Sequence, residues 1–458
     1  MEDTTIAISR LRNKKKWAYS FHSELSLQTE EYLKNTRFQI LKLGKLVAEI
    51  SDGLHSTRHY VDDGITVLAV RNITEFGLDL SNKKMITQAE HEHFKRSQVQ
   101  PEDLLVTITG RLGTALVYTS EKPANLSAHV ARVKVHANKV NPYYLAAYLN
   151  SNFGKQLLNE YSIGSIYAHI NVNGLQNVQI VLPPRPIQDR IAQIMQNAYA
   201  KRQNKLSEAE RLYQTIDSYV FSRLGITLED VEEKRRFLRP IAEIYKSRFD
   251  VDFNMGFHKF DPYINQVLPV KAVAKFPKRI RKLSNEAEAI FQYIDISSID
   301  IQLGEIERAI EITEASAPSR ARQVVHTGDI IVSTVRPTRG AIALIQNEME
   351  GFICSTGFTI IHPTKKVSSA YLHLALRLST TLEQFKRRSA GSSYPAILES
   401  DIQETLIPVP DKEVQNEIAT EVTQRCNKAK SLRIKAENLV NEAKARVERM
   451  ILGEEDVT

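Results

Sequence analysis

The chain repeats itself at long range. Ser162-Ile163-Gly164-Ser165-Ile166-Tyr167 matches Ser389-Ala390-Gly391-Ser392-Ser393-Tyr394 at a shift of 227 residues. At the same shift Tyr144-Leu145 meets Tyr371-Leu372, and Pro183, Gln188, Ile191 and Ala192 meet Pro410, Gln415, Ile418 and Ala419. One residue out of step, Asp103-Leu104-Leu105-Val106 meets Asp329-Ile330-Ile331-Val332, and the register returns by Gly113 and Gly340. A period this long means two copies of one unit, each roughly 225 residues, and not a solenoid of short repeats. Length alone, at 458 residues, allows about two to four domains. The repeat settles on duplication.

Each copy has two parts with different periodicity. Residues 37–183 and 238–409 hold short apolar runs broken by Gly, Pro, Asn and Asp, such as Ile65 to Val70, Leu104 to Ile108, Val130 to Val135, Asp329 to Val335 and Phe358 to Ile361. These read as strands of a mixed α+β domain, with helices expected over Pro142 to Leu158 and Ser368 to Phe385. Residues 1–36 form a polar N-terminal segment without the apolar core of a secretory signal. The second part of each copy, within 184–237 and 410–458, is a long helix. Ile187 to Leu224 and Val414 to Leu452 lack Gly and Pro, and Gly225 and Gly453 follow as C-terminal caps. At the helical rise each reaches roughly 55–60 Å. Their narrow apolar stripes suit one close partner helix, so mutual pairing as an antiparallel coiled coil is expected. The residues set to face a partner are Ile187, Ile191, Ile194, Leu212, Ile216, Val414, Ile418, Leu432 and Leu439.

Little catalytic chemistry is present. There is no phosphate-binding P-loop and no dinucleotide fingerprint. Glu442-Ala443-Lys444 has a nuclease-like spacing but lies on the second helix as a solvated face, and His91 and His93 face apart with no third metal ligand. Cys354 and Cys426 are too few for a disulfide framework or a four-cysteine zinc site, which fits a reducing cytoplasm. No apolar run is long enough to span a membrane. The copies share no catalytic-looking constellation of acid, base and nucleophile, so a binding module is expected and not an enzyme, with no catalytic residue, no metal and no cofactor of its own. The net charge of +7 permits a nucleic-acid partner without requiring one. What recurs are loops at strand ends. Thr109-Gly110-Arg111-Leu112-Gly113-Thr114 aligns with Arg336-Pro337-Thr338-Arg339-Gly340-Ala341, and the Gly164 to His169 loop aligns with Gly391 to Tyr394. Glycine lets a backbone approach closely, and arginine offers a planar fork for phosphate or guanine. Lys278-Arg279-Ile280-Arg281-Lys282 and Lys386-Arg387-Arg388 are basic clusters of the second copy only.

At this point the residues resemble a known family. Ile50-Ser51-Asp52-Gly53-Leu54-His55-Ser56-Thr57, followed by Gly64 to Leu68, is similar to the opening of a target-recognition domain. Asp103 to Val106 leading into Gly110 to Gly113 is similar to its central strand and loop. Leu182-Pro183-Pro184 with Gln188-x-x-Ile191-Ala192, and Ile407-Pro408-Val409-Pro410 with Gln415-x-x-Ile418-Ala419, resemble the passage from such a domain into a spacer helix. Together these resemble the specificity (S) subunit of type I restriction–modification systems, over nearly the whole chain. The family usually has Glu before that glutamine, where Ile187 and Val414 stand here, and the second copy lacks the Asp-Gly-x-His element. Ser247 to Phe253 resembles a motif found at the start of the second domain.

The resemblance implies two tandem target-recognition domains held apart by the paired helices with pseudo-twofold symmetry. Each domain reads one half of a split, asymmetric target in the major groove of double-stranded DNA. Helices of this length correspond to roughly 16 base pairs as an upper guide to half-site separation. DNA-contact candidates are His55, Ser56, Arg58, Thr109, Arg111, Tyr167 and His169 in the first copy, and Lys278, Arg279, Arg336, Thr338, Arg339 and Tyr394 in the second. Two methyltransferase (M) subunits are implied on the helices, with motor/nuclease (R) subunits beyond, and these partners supply S-adenosylmethionine, ATP and Mg chemistry. The rival readings are a specificity chain of another methylation or anti-phage complex (type IIB-like) and a duplicated coiled-coil scaffold that binds protein only.

Overall fold

The computed structural model describes residues 24–53, 59–163, 168–226, 266–281, 287–391 and 393–455. The expectations at His55, Ser56, Arg58, Tyr167, Lys282 and Ser247 to Phe253 lie outside these residues. The chain forms two compact units, one of 1–206 with 434–458 and one of 207–433. Each long helix therefore gives one half to each unit, a different line from the sequence segments.

In the first unit one sheet runs in the order Val47–Asp52, Val130–Val135, Leu104–Thr107, Ala115–Val117. A second runs Lys84–Ile86, Ile65–Leu68, Ala124–Leu126, Gln98–Val99. Gln39–Lys42 pairs antiparallel with Gln179–Leu182, and Ile73–Thr74 pairs with Gly77–Leu78 as a short hairpin. The second unit repeats this plan. Its sheets run Ala274–Lys275, Phe358–Pro363, Ile330–Ser333, Ile342–Leu344 and Ile310–Thr313, Ile290–Ile294, Ile353–Ser355, Ala321–Val324. Gln266–Pro269 pairs with Leu406–Val409, and Ile299–Asp300 with Glu305–Ile306. Among the described residues a parallel pairing also recurs, Ala124–Leu126 beside Ile65–Leu68 and Ile353–Ser355 beside Ile290–Ile294. The α+β duplication is thus carried strand by strand.

The recurrent Asp-Leu-Leu-Val and Asp-Ile-Ile-Val runs show no alternation because their strands are buried on both faces. Leu104 and Val106 enter the main core of the first unit while Leu105 enters a smaller second core. Ile330 and Val332 divide from Ile331 in the same way. Each expected helix following the strands is in fact two. Pro142–Asn150 is separated from Asn152–Glu160 by Ser151, whose hydroxyl accepts the Gly154 amide at 3.0 Å as a cap. Ser369–Arg377 and Ser379–Arg388 divide likewise. Tyr144 and Tyr371 recur because each is buried with its hydroxyl donating to a strand carbonyl, Val181 O at 2.5 Å and Pro408 O at 2.9 Å.

The long helices are Arg185–Leu224 and Lys412–Leu452. Gly225 (φ +61°) and Gly453 (φ +77°) close them in the left-handed conformation, and the Ile226 and Glu454 amides reach back to Phe221 O and Arg449 O at 2.8 and 2.9 Å. In the first unit Ile191, Met195 and Ala198 share a core with Ala443, Val447 and Met450. In the second, Ala209 packs with Ala429 and Leu432, and Val220 shares a core with Ile418 and Val422. Ion pairs Arg223–Glu417 (2.6 Å) and Lys428–Glu208 (3.5 Å) run in opposite directions along the two helices, so the pairing is antiparallel. Ile187, Ile194, Leu212, Ile216 and Val414 pack partly buried against these cores. Leu439 does not. The buried stripe passes through Ala436 and Val440 instead, because after Ala436 the helix takes a step of four where the sequence pattern took three.

The recurrent glutamine is a latch between recognition domain and helix. Gln188 accepts the Asn141 amide (2.9 Å) and donates to Pro183 O (2.8 Å). Gln415 accepts the Ser368 amide (3.1 Å) and donates to Pro410 O (2.8 Å) and Lys366 O (3.1 Å). Asn141 and Ser368 are themselves the caps of the helices that follow. Gln188→Ala strands a buried amide and carbonyl, so a loss of about 1–3 kcal/mol is expected, read as a lower denaturation midpoint and faster exchange at Asn141 N–H. A midpoint unchanged by the substitution would remove the latch assignment.

Candidate nucleic-acid interface

At the same edge of each unit two loops are zipped together by short bridges. In the first unit Thr109 pairs with His169, and Ile163 pairs with His169. In the second Val335 pairs with Ala396, and Ala390 pairs with Ala396. These equivalences correct the sequence alignment. Thr109 corresponds to Val335, so the partner of Arg336 is Gly110, and the extra residue of the second unit lies between Arg336 and Gly340. Backbone angles agree: Gly110 (φ +74°) and Arg336 (φ +49°) are both left-handed, as are Gly113 (φ +80°) and Gly340 (φ +71°). Among the described residues only Arg336 and Glu102 are non-glycines in that region. Glu102 (φ +69°) occupies the position of Gly328 (φ +84°). Each costs about 1–2 kcal/mol relative to a relaxed backbone.

In the first unit Thr109 and His169 are brought together, with Thr109 Oγ1 and His169 Nδ1 2.9 Å apart and Nδ1 3.1 Å from Ile108 O. Arg111 is exposed at the loop tip, and its main-chain carbonyl accepts the Thr107 hydroxyl. Its charge adds to the Ser81 hydrogen bonds that hold Asp79 below the usual carboxylate range. In the second unit the Arg336 guanidinium lies 4.6 Å from the ring centre of Tyr394, which is 71% exposed. The amide of Arg336 donates to Pro395 O at 2.7 Å, tying the two loops. Thr338 and Arg339 are exposed beside it.

The basic clusters have other work. Arg279 forms an ion pair with Asp329, a carboxylate with no exposure, which also accepts His362 Nδ1 and the His326 amide at 2.8 Å each. Arg281 binds Glu314 through both terminal nitrogens (2.5 and 3.0 Å) and stacks 4.3 Å from Phe291. Arg387 is paired with Glu383 at 3.1 Å. Lys278 is exposed but held by Glu399. Arg279 is therefore held over a buried acid, with its side chain 27% exposed. The first unit keeps the acid alone: Asp103 accepts the Gln100 amide at 2.8 Å, and burial raises its pKa. Sequence reasoning missed the apolar tips of this edge, Ile163 in one unit and Val335 and Leu398 in the other, all exposed. Isolated apolar residues in loops carry no signal by themselves.

Among the described residues no group of three or more His, Cys, Asp or Glu could hold a metal ion, and no helix is long and apolar enough to cross a membrane. Burial pushes the pKa of His373 down to about 3, and its Nε2 lies 3.3 Å from Ile342 O.

The family model "Type I restriction modification DNA specificity domain" matches residues 72–211 and 265–437, one stretch in each copy. The HindI specificity subunit of Haemophilus influenzae is 30% identical over 109 residues, 23% of this chain and 24% of that one. The EcoBI specificity subunit of Escherichia coli is 26% identical over 168 residues, 35% of each chain. The chain thus spans about a quarter to a third of the length of the curated relatives it matches. A solved chain from a study of the assembly and conformational transition of the type I R-M system superposes with a TM-score of 0.53 at 15% identity, covering 91% of this chain and 98% of that one. At that identity the likeness concerns the fold.

Proposed function

The chain belongs to the type I restriction–modification DNA specificity family, and on that premise we propose that it is the non-catalytic subunit that gives such a complex its DNA sequence preference. The observation that carries the reading is the duplicated pair of zipped loops, identical in bridging pattern and different in side chains. Equivalent backbones bearing Thr109, Arg111 and His169 in one unit and Arg336, Arg339 and Tyr394 in the other suit two different half-sites. The target is then bipartite and asymmetric. Side chains of these kinds read base edges in the major groove, where all four base pairs differ.

On this proposal methyltransferase subunits dock on the paired helices, with motor/nuclease subunits beyond them. In this reading two M subunits bind S-adenosylmethionine and methylate a flipped adenine, while ATP and Mg belong to the R subunits, and the whole works in the cytoplasm. Co-expression with the cognate M subunits in a methylation-free host tests it. Adenine methylation is expected at one split, non-palindromic motif, and only when this chain is present. Co-purification with M subunits but no new methylation would favour a protein-binding scaffold.

A further inference from the structure

We propose that Arg336 is a specificity-determining residue that reads a guanine in the half-site facing the second unit, an inference that rests on the DNA-specificity reading above. Its side chain is unlike those of Arg279, Arg281 and Arg387, which each lie against a carboxylate. Among the described residues Arg336 has no carboxylate partner, and its one side-chain hydrogen bond there is a long one, 3.4 Å to Ser393 O. The Tyr394 ring centre 4.6 Å away steadies the guanidinium without taking up its donors, so most of its five N–H groups stay free for a ligand.

The backbone supplies a second argument. A left-handed arginine persists only where its surroundings impose it, and here the Pro395 O hydrogen bond and the Val335–Ala396 bridge do so. The sister position, Gly110, meets the same requirement without strain. A phosphate contact needs only a nearby positive charge, which a lysine on a relaxed backbone provides. A fixed, planar, forked donor matches the paired acceptors O6 and N7 of guanine. The protruding Val335 and Leu398 fit insertion into a groove better than contact along a charged backbone.

The test uses the complex with its M subunits and a library of duplexes randomised across the target. Arg336→Gly is expected to remove the preference for guanine at one position of one half by roughly ten- to a hundredfold, leaving the other half unchanged. Arg336→Lys, which keeps the charge, should lose the same preference. Because glycine suits the left-handed backbone, Arg336→Gly should fold at least as stably as the parent, so lost readout is not misfolding. Glu102→Gly relieves the equivalent kind of strain in the first unit and should leave every position of the motif intact. Uniform weakening at all positions with a shallower salt dependence marks a phosphate contact and overturns the proposal. An unaltered motif overturns it as well. A parent complex that selects no motif at all is a different failure, that of the specificity reading.

Discussion

Replacing Asp329 by alanine is expected to destabilise the second unit by about 3 kcal/mol, whereas Asp103→Ala in the first costs about 1–2 kcal/mol. Both acids start the central strand, and both accept the amide three residues before them. Only Asp329 is also ion-paired. It has no solvent exposure, and Arg279, 27% exposed, leans on it together with His362. Removing the acid leaves a largely desolvated guanidinium without its counter-charge, which costs more than the bond itself was worth. Hydrogen exchange separates the two effects in a protein with two units. Amides of Ile330–Ser333 should lose protection in the Asp329 variant while those of Leu104–Thr107 keep theirs, and the Asp103 variant should show the converse with a smaller loss. Equal effects in both units would show that the ion pair contributes nothing beyond the shared turn.

That asymmetry also shows where sequence reading stops. The duplication, the two capped helices and the apolar strands are legible, because repeat, Gly placement and apolar runs can be read from residue order without knowing which elements pack together. The role of Arg279 and Arg281 was not. Their acids, Asp329 and Glu314, lie tens of residues away and arrive only through sheet pairing. A cluster of basic residues looks the same in sequence whether it is neutralised or free. The one-residue error at Arg336 has a similar origin: Gly110 and Arg336 share a backbone conformation and no chemistry. In the helix, Leu439 and Val440 both satisfy a three-or-four spacing, and only the packed partner selects Val440.

Exchanging residues 238–409 for the corresponding domain of another family member should change one half of the target completely and leave the other half as it was. What makes the exchange tolerable is the choice of atoms that join domain to helix. Gln415 bonds the amide of Ser368 and the carbonyl of Lys366, main-chain groups that any domain of this fold supplies whatever its sequence, and the carbonyl of Pro410, which stays with the helix. Val220, Leu224, Ile418 and Val422 of the helices also share a buried core with the domain, which a graft fills with its own apolar side chains, whereas the polar side-chain contacts are weaker. Lys430 pairs with Glu305 at 2.9 Å, Gln302 reaches Glu210 at 3.5 Å, and Arg433 reaches Gln302, all exposed. Exposed pairs of this kind contribute about 0–1 kcal/mol each. A graft lacking them should still fold and lose at most a few degrees of thermal stability. The loops that carry Arg336 and Tyr394 travel with the domain, and those that carry Thr109, Arg111 and His169 stay. Mapping methylation before and after the exchange reads both halves at once. A change in both halves would mean that the loops do not act as separate readers. A graft that folds only when the Gln302 and Glu305 contacts are restored would shift the weight of the junction from the glutamine latch to the hairpin.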